Sequence, residues 1–437
     1  MVTALRQRQR GAAVAVVIAA LVVAGSVAAG LALRADGVRL YLAGPLLAGA
    51  WEPRLPIGVL APVVVGGVLL GFATRVSVRM SWARLLPVTG LAAAAWAVAL
   101  AVVDGAGGLT RGLSSVHDYL NDVPRVGSFA ELLSGYVAHV PADSATPWTT
   151  HVGGHPPGTL LTFAFLDSVG LGGAGWAAAL CIGAGASAVP AVLIALRSIA
   201  GEGPARAAAP FLILVPTAIW LATSADALFL GISAWGIAAL ALAARSGNRR
   251  LAVVGGLLMG LTLFFSYGLV LLAPLVLAVV LVHRNWQVLA VAAGAVLVVV
   301  AAFAVAGFWW VSGLLATMER VEAGPSAQSR PAMFFLVANL AAVAVAIGPA
   351  GVAGIGQAVT RAGRRTAVAI LPLAALAGVL IADLSLLSKG EVERIYLPFF
   401  GWLLTATALL DERHRARWLA VQVVAAIAVQ VLIRTEW

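Results

Sequence analysis

Residues 151–158, HVGGHPPG, set two imidazoles among glycines and prolines immediately before an apolar stretch. His151 and His155 are four residues apart, the spacing at which two helical side chains can share a zinc ion. A regular helix through Gly-Gly-His-Pro-Pro is disfavoured. Proline has no N–H to give, and Pro156 pushes His155 away from helical backbone angles. The stretch reads better as a rigid turn that aims neutral imidazoles at a ligand phosphate or hydroxyl. The plain alternative is a structural knot that docks a loop.

The carboxylates near this turn are the other groups with chemistry to offer. Asp104 ends the apolar run AVALAVVDGAGGL and is followed by a flexible glycine-rich segment. At the edge of a cleft, with partial desolvation, it can serve as general base toward an acceptor hydroxyl; otherwise it simply ends a helix at the interface. Asp118 and Asp122, in HDYLNDVP, are spaced i, i+4. On a short helix both would share a face that could hold a divalent cation or position a sugar, or that is merely solvated. Asp226, in LATSADALFLG, stands at the end of another apolar run, where an acid faces a cavity or, with Ser224, caps the helix that follows. Lys389, Glu391, Glu393 and Arg394, in SKGEVERIYLPF, precede a further apolar run. Cations at that depth can hold a lipid phosphate, Arg by its fork and Lys as a point charge. The alternating signs equally suit a salt-bridged turn. Glu391, Glu393 and Tyr267 are expected to support the binding groups from behind, and Arg320 and Arg330 are weaker phosphate candidates.

The elements that must position these groups follow from composition. Hydrophobic residues make up 62% of the 437-residue chain and charged residues 11%, too little charge to cover a soluble surface. Long uncharged runs recur from end to end, so the chain reads as an all-α, multi-span membrane protein. The net charge of +10 does not indicate nucleic acid, because the arginines fall in short clusters between apolar runs, where they encode topology. The single cysteine, Cys181, excludes a disulfide within the chain. Apolar windows near 11–33, 55–74, 85–103, 173–196, 207–221, 227–244, 251–265, 269–282, 288–308, 334–354, 366–382, 395–410 and 418–433 predict about thirteen transmembrane helices. The first window is longer than a signal-peptide core and is read as a retained span.

With the N-terminus inside, the clusters Arg6/Arg8/Arg10, Arg75/Arg79/Arg84, Arg197/Arg206, Arg245/Arg249/Arg250, Arg361/Arg364/Arg365 and Arg413/Arg415/Arg417 all fall on the inner side. That sidedness requires windows 251–265 and 269–282 to form a hairpin with Ser266-Tyr267-Gly268 at its outer tip, rather than one long helix. Residues 156–166 are too few to span and predict a juxtamembrane or re-entrant helix with a proline in its first turn. The one large polar segment, 104–155, holds His117, His139, His151 and His155 and becomes an outer loop.

An acid at the start of a large first outer loop, a His155-Pro156-Pro157 element leading into a juxtamembrane helix, and a late charged patch at Lys389–Arg394 together resemble the C-type glycosyltransferases (GT-C fold). That group includes protein O-mannosyltransferases, the lipid A aminoarabinose transferase, and actinobacterial envelope mannosyl- and arabinosyltransferases. The resemblance covers 85–437, including the loop at 104–156, and leaves 1–84 as additional N-terminal spans and an inner loop. Asp104 is followed by glycine where many relatives carry a second acid, which leaves Asp118 or Asp122 as alternative bases.

The resemblance implies transfer of a hexose or pentose, with inversion, from a polyprenyl-phosphate sugar to an envelope glycan or lipid acceptor at the outer face of the plasma membrane. In that reading Asp104, Asp118 and Asp122 carry the catalytic role, while His151, His155, Lys389, Arg394 and Asp226 bind the donor phosphate. A divalent cation is compatible with this donor class but not required by it. The rival readings are a transporter or flippase, which predicts broken mid-membrane helices and buried charges, and a non-catalytic binder of lipid-linked glycans.

Overall fold

The computed structural model describes residues 2–75, 79–362 and 366–436. In chain order the α-helices are α1 (Val2–Ala35), α2 (Leu60–Arg75), α3 (Trp82–Ala101), α4 (Phe129–Gly135), α5 (Thr150–Gly153), α6 (Gly158–Ser168), α7 (Ala174–Ala200), α8 (Glu202–Ile213), α9 (Asp226–Ser246) and α10 (Arg249–Thr262). They continue as α11 (Ala273–His283), α12 (Trp286–Val305), α13 (Trp310–Ala323), α14 (Pro325–Ser329), α15 (Ala332–Thr360), α16 (Ala367–Leu384), α17 (Val392–Ile395), α18 (Leu397–Leu404) and α19 (Glu412–Leu432). The sheet among the described residues is one antiparallel pair, β1 (Gly49–Trp51) with β2 (Ile433–Thr435).

Eight described helices are long and apolar enough to cross a membrane, and three shorter apolar helices accompany them at Ile57–Phe72, Tyr267–His283 and Leu397–Leu409. Each of the thirteen apolar windows contains helix, the one at 207–221 interrupted at Leu214–Val215, and the chain is a multi-pass, all-α membrane protein. The interior is built largely from alanine. Ala177, Ala178, Ala186, Ala188, Ala191 and Ala195 of α7 are buried, as are Ala234, Ala238 and Ala241 of α9. Small side chains let helix backbones approach closely where apolar solvent supplies no hydrophobic drive. The same core includes Leu46, Leu47 and Ala48 from the N-terminal part, so residues before 85 share one core with the rest.

Contacts at helix ends separate the molecule into two faces. At one, Arg197 and Arg206 lie over the Trp82 ring at 4.5 and 5.9 Å, joining the end of α7 to the starts of α3 and α8. There too Asn285, after α11, donates to the Ala244 carbonyl near the end of α9 at 3.3 Å. Arg364 and Arg365, placed on this side by the sequence, lie outside the described residues. At the far end of α10, the Phe264 carbonyl accepts from Gly158 N–H at 2.7 Å. The chain therefore turns between α10 and α11, as expected, and does not continue as one long helix; the turn at 263–267 lies against the start of α6.

Two helices break midway. In α15, Gly348 has φ 71° and ψ 174° ahead of Pro349, a conformation open to glycine. The backbone groups this frees are bonded by Gln422 of α19, whose Oε1 accepts from Ala350 N–H at 3.0 Å and whose Nε2 donates to the Ile347 carbonyl at 2.7 Å. Chain 202–220 breaks at Leu214–Val215 between α8 and a 3₁₀ turn, Pro216–Trp220. There Trp96 Nε1 donates to the Val215 carbonyl, and Thr217 Oγ1 donates to the Ala346 carbonyl beside the α15 break. Irregular backbone is tolerated at such depth when protein groups re-satisfy it.

Candidate functional site

The turn at 151–158 is built as its prolines dictate. A single helical turn, α5, ends at Gly153; His155 and Pro156 are non-helical, and α6 starts at Gly158 with Pro157 at its cap. Two side chains, Tyr136 and Arg320, dock the turn and the loop that leads into it. Tyr136 Oη donates to the Val152 and His155 carbonyls at 2.7 and 2.9 Å. Arg320 of α13 donates to the Val140 and Trp148 carbonyls at 2.6 and 2.9 Å. A Cβ added to Gly153 would lie 2.1 Å from the Arg320 guanidinium, so a larger residue here would displace the guanidinium from beneath the turn. Arg320, a phosphate candidate by sequence, is thus committed to holding the loop.

The docked turn fixes both imidazoles. His151 is buried, with Nδ1 3.0 Å from Asp118 Oδ2. His155 Nδ1 lies 2.8 Å from the His151 carbonyl, which can only accept, so Nδ1 carries the proton and Nε2 presents its lone pair. Burial pulls the His155 pKa from 6.5 to about 4 against the attraction of Asp226, and the ring is neutral at pH 7. Tyr119 stands between them, its ring centroid 6.1 Å from that of His151 and 6.0 Å from that of His155. Burial, reinforced by Asp226 and Asp118, pushes its phenol well above the ordinary value, so it remains an O–H donor.

The charged patch closes the other side. Arg394 of α17 pairs with Asp226 at the start of α9 at 2.6 Å, and both are buried. Ser224 Oγ also donates to Asp226. Arg394 lies 3.3 Å from Glu391, and Glu391 lies 3.3 Å from Arg330. Burial pushes the Glu391 carboxyl up, but Arg394 and Arg330 outweigh it and hold it below its usual range. Arg330 is buried and donates to the carbonyls of Leu40, Tyr41 and Lys389, strapping segment 38–51 over the patch. Glu393 accepts from Ala48 N–H of that strap at 2.7 Å, and burial raises its pKa to about 7. Lys389 Nζ donates to the Ala327 carbonyl in α14.

The structure therefore brings together His151, His155, Asp118, Asp226, Arg394, Glu391 and Glu393, with Tyr119 as a member the sequence reading missed. Asp118 and Asp122 are not the solvated face of a helix. Each precedes a 3₁₀ turn, and each is buried. Asp118 Oδ1 caps Tyr119 N–H. Asp122 binds Arg125 through Oδ1 and Thr149 through Oδ2, a clamp across the loop. Asp104 is engaged by Arg54, which grips it with Nε and Nη2 at 2.9 and 3.1 Å, and by Arg111 at 3.3 Å. Tyr267 lies at the hairpin tip, its ring against Trp310 of α13, the helix that carries Arg320. Asp104, Asp118 and Asp122 each bond protein donors through both oxygens, and among the described residues no three His, Cys, Asp or Glu side chains gather as a metal's ligand set.

No family model and no curated protein sequence matches the chain. It is similar in structure to the oligosaccharyltransferase of Archaeoglobus fulgidus in its apo form, with a TM-score of 0.46, 14% identity, and coverage of 82% of this chain and 56% of that one. The same enzyme in complex with zinc and sulfate gives 0.45 at 15% identity, over 80% of this chain and 53% of that one. The A. fulgidus oligosaccharyltransferase AglB in complex with an inhibitory peptide and a dolichol-phosphate gives 0.42 at 13% identity, over 79% and 56%. The chain spans little more than half the length of these structures.

Proposed function

We propose that the protein is an integral-membrane glycosyltransferase of GT-C type that moves a sugar from a polyprenyl-phosphate donor to an envelope acceptor at the outer face of the plasma membrane. The observation that carries this reading is the buried convergence of a neutral imidazole, a His–Asp pair and a guanidinium at one end of a membrane bundle. Such groups belong where a phosphate leaves and a hydroxyl is deprotonated. In the proposed step the acceptor oxygen bonds to the sugar's anomeric carbon while the bond from that carbon to the phosphate oxygen breaks. The leaving electron pair goes to the phosphate, met by Arg394 and by the Tyr119 hydroxyl. The acceptor proton goes to His155 Nε2 or to the His151–Asp118 pair. A single displacement inverts the anomeric carbon. Asp226 and Glu391 keep Arg394 ionised and aimed. With both oxygens gripped by arginines, Asp104 holds the loop's start against Arg54 instead of acting as the base.

Binding of a fluorescent polyprenyl phosphate to the purified protein tests the donor half. Wild type should bind, and Arg394→Gln and Tyr119→Phe, which remove the two phosphate partners, should each weaken binding, Arg394→Gln roughly tenfold or more. Equal binding by all three would remove the phosphate assignment.

The mid-membrane breaks in α15 and after α8 favour a transporter as second reading, because such breaks form cargo sites. Here Gln422, Thr217 and Trp96 bond backbone groups at the breaks. The breaks are thereby sealed within the protein, and the transferase reading stands ahead.

A further inference from the structure

The membrane end opposite the histidine cluster carries a cavity of about 900 Å³. Its floor is the end of α15, and its flanks are the starts of α1 and α19. Four guanidiniums line it: Arg361, Arg413, Arg415 and Arg417. The acids on its wall are Asp411 and Glu412, and Asp411 is occupied in capping α19 through Arg413 N–H. The wall is therefore net cationic. Arg415 keeps Nε buried without a hydrogen-bond partner, while its Nη2 reaches the Ala408 carbonyl at 3.3 Å. The Ala408 carbonyl holds this guanidinium at the cavity wall.

The cavity is polar at one side only. Ala12, Ala13, Trp418 and Val421 complete its lining, and exposed apolar side chains run on from it along both flanks: Val14, Val17 and Ile18 on α1, Val421 and Val424 on α19. A free anion would use the arginines and ignore these ridges. A phospholipid uses both, with its phosphate on the arginines and its acyl chains along the valines. Topology-setting arginines need only lie at the correct end of a helix; they need not converge on one cavity.

We infer that this cleft between α1 and α19 is a binding site for an anionic phospholipid of the membrane leaflet opposite the candidate transferase site. It rests on the membrane-spanning reading of the helices and not on the proposed sugar transfer.

Purified full-length protein in nanodiscs is compared by native mass spectrometry and thermal unfolding in phosphatidylglycerol, in phosphatidylcholine, and in phosphatidylcholine with soluble glycerol phosphate. The expected result is retention of phosphatidylglycerol and a higher unfolding temperature in that lipid alone. Arg413→Gln with Arg417→Gln should weaken its retention roughly tenfold. Arg249→Gln with Arg250→Gln, at the same end but off the cavity, should leave it unchanged. Equal loss in both double variants would reduce the effect to general surface charge and overturn the site. Equal stabilisation by glycerol phosphate would overturn the lipid assignment in favour of a soluble phosphate. Should the cavity variant fail to fold, the wild-type comparison decides alone: no preference for phosphatidylglycerol over phosphatidylcholine refutes the inference.

Discussion

Replacing Arg394 by glutamine separates what the buried ion pair does for stability from what it does for function. Arg394 and Asp226 are 2.6 Å apart with side-chain exposures of 7% and 4%. Removing one partner leaves a buried, uncompensated carboxylate, at a cost of about 3–5 kcal/mol. Asp226→Asn is expected to cost less, about 1–3 kcal/mol, because Arg394 keeps Glu391 as a counter-charge at 3.3 Å. With both changes, two neutral amides replace the pair and neither charge is stranded. The double variant should therefore be more stable than Arg394→Gln alone, with a coupling energy of about 2–3 kcal/mol in the double-mutant cycle. The assay is equilibrium unfolding in mixed micelles, run in parallel with polyprenyl-phosphate binding. Stability should return in part in the double variant while binding stays roughly tenfold or more below wild type, because the guanidinium is still missing. Additive stabilities would show that the pair does not govern this end of α9. Restored binding in the double variant would show that Arg394 does not meet the phosphate.

Three further perturbations follow from the same geometry. Glu393 has a folded pKa of about 7 against an ordinary 4.5, so the folded state is favoured by the carboxyl's proton at low pH and loses that advantage as pH rises through about 7. Glu393→Gln keeps an acceptor for Ala48 N–H; it should match wild type below pH 4.5 and exceed it by about 3 kcal/mol above pH 8, and a constant difference across pH in unfolding titrations would refute this. Gln422→Leu strands Ala350 N–H and the Ile347 carbonyl at the break in α15, at about 1–3 kcal/mol for each group; an unfolding free energy within 1 kcal/mol of wild type would mean that the break finds other partners. Arg320→Met removes the donors to Val140 and Trp148, and hydrogen exchange at 140–154 should accelerate while exchange in α7 does not; unchanged protection of the loop would contradict the docking role.

Much of the architecture was legible because a bilayer leaves little choice: long apolar runs must be helices, and arginine clusters mark one face. That logic separated α10 from α11 at Tyr267, and proline chemistry placed the break before Gly158. Charge pairing across long separations was not legible. Asp104 looked available for chemistry because its partner, Arg54, lies fifty residues earlier. Arg320 and Arg330 looked like loop cations, yet both serve backbone carbonyls, a use that leaves no pattern in sequence. Asp118 and Asp122 had helical spacing, but acids that precede successive 3₁₀ turns share it. Tyr119 gave no signal beyond being aromatic. The break in α15 was written as Ile-Gly-Pro-Ala-Gly, a strong turn signal, and the hydropathy of its surroundings concealed it.

The measurement that bears most directly on the central claim is transfer of radiolabelled sugar from a panel of polyprenyl-phosphate donors, mannose and arabinose first, to an envelope acceptor extract. It uses membranes containing wild-type, His155→Ala or Asp118→Asn protein. The account predicts transfer from one donor by wild type and its loss in both variants at equal protein level. No transfer from any donor, by a wild-type protein that still binds polyprenyl phosphate, would contradict the transferase reading and leave a lipid-glycan binder or flippase in its place.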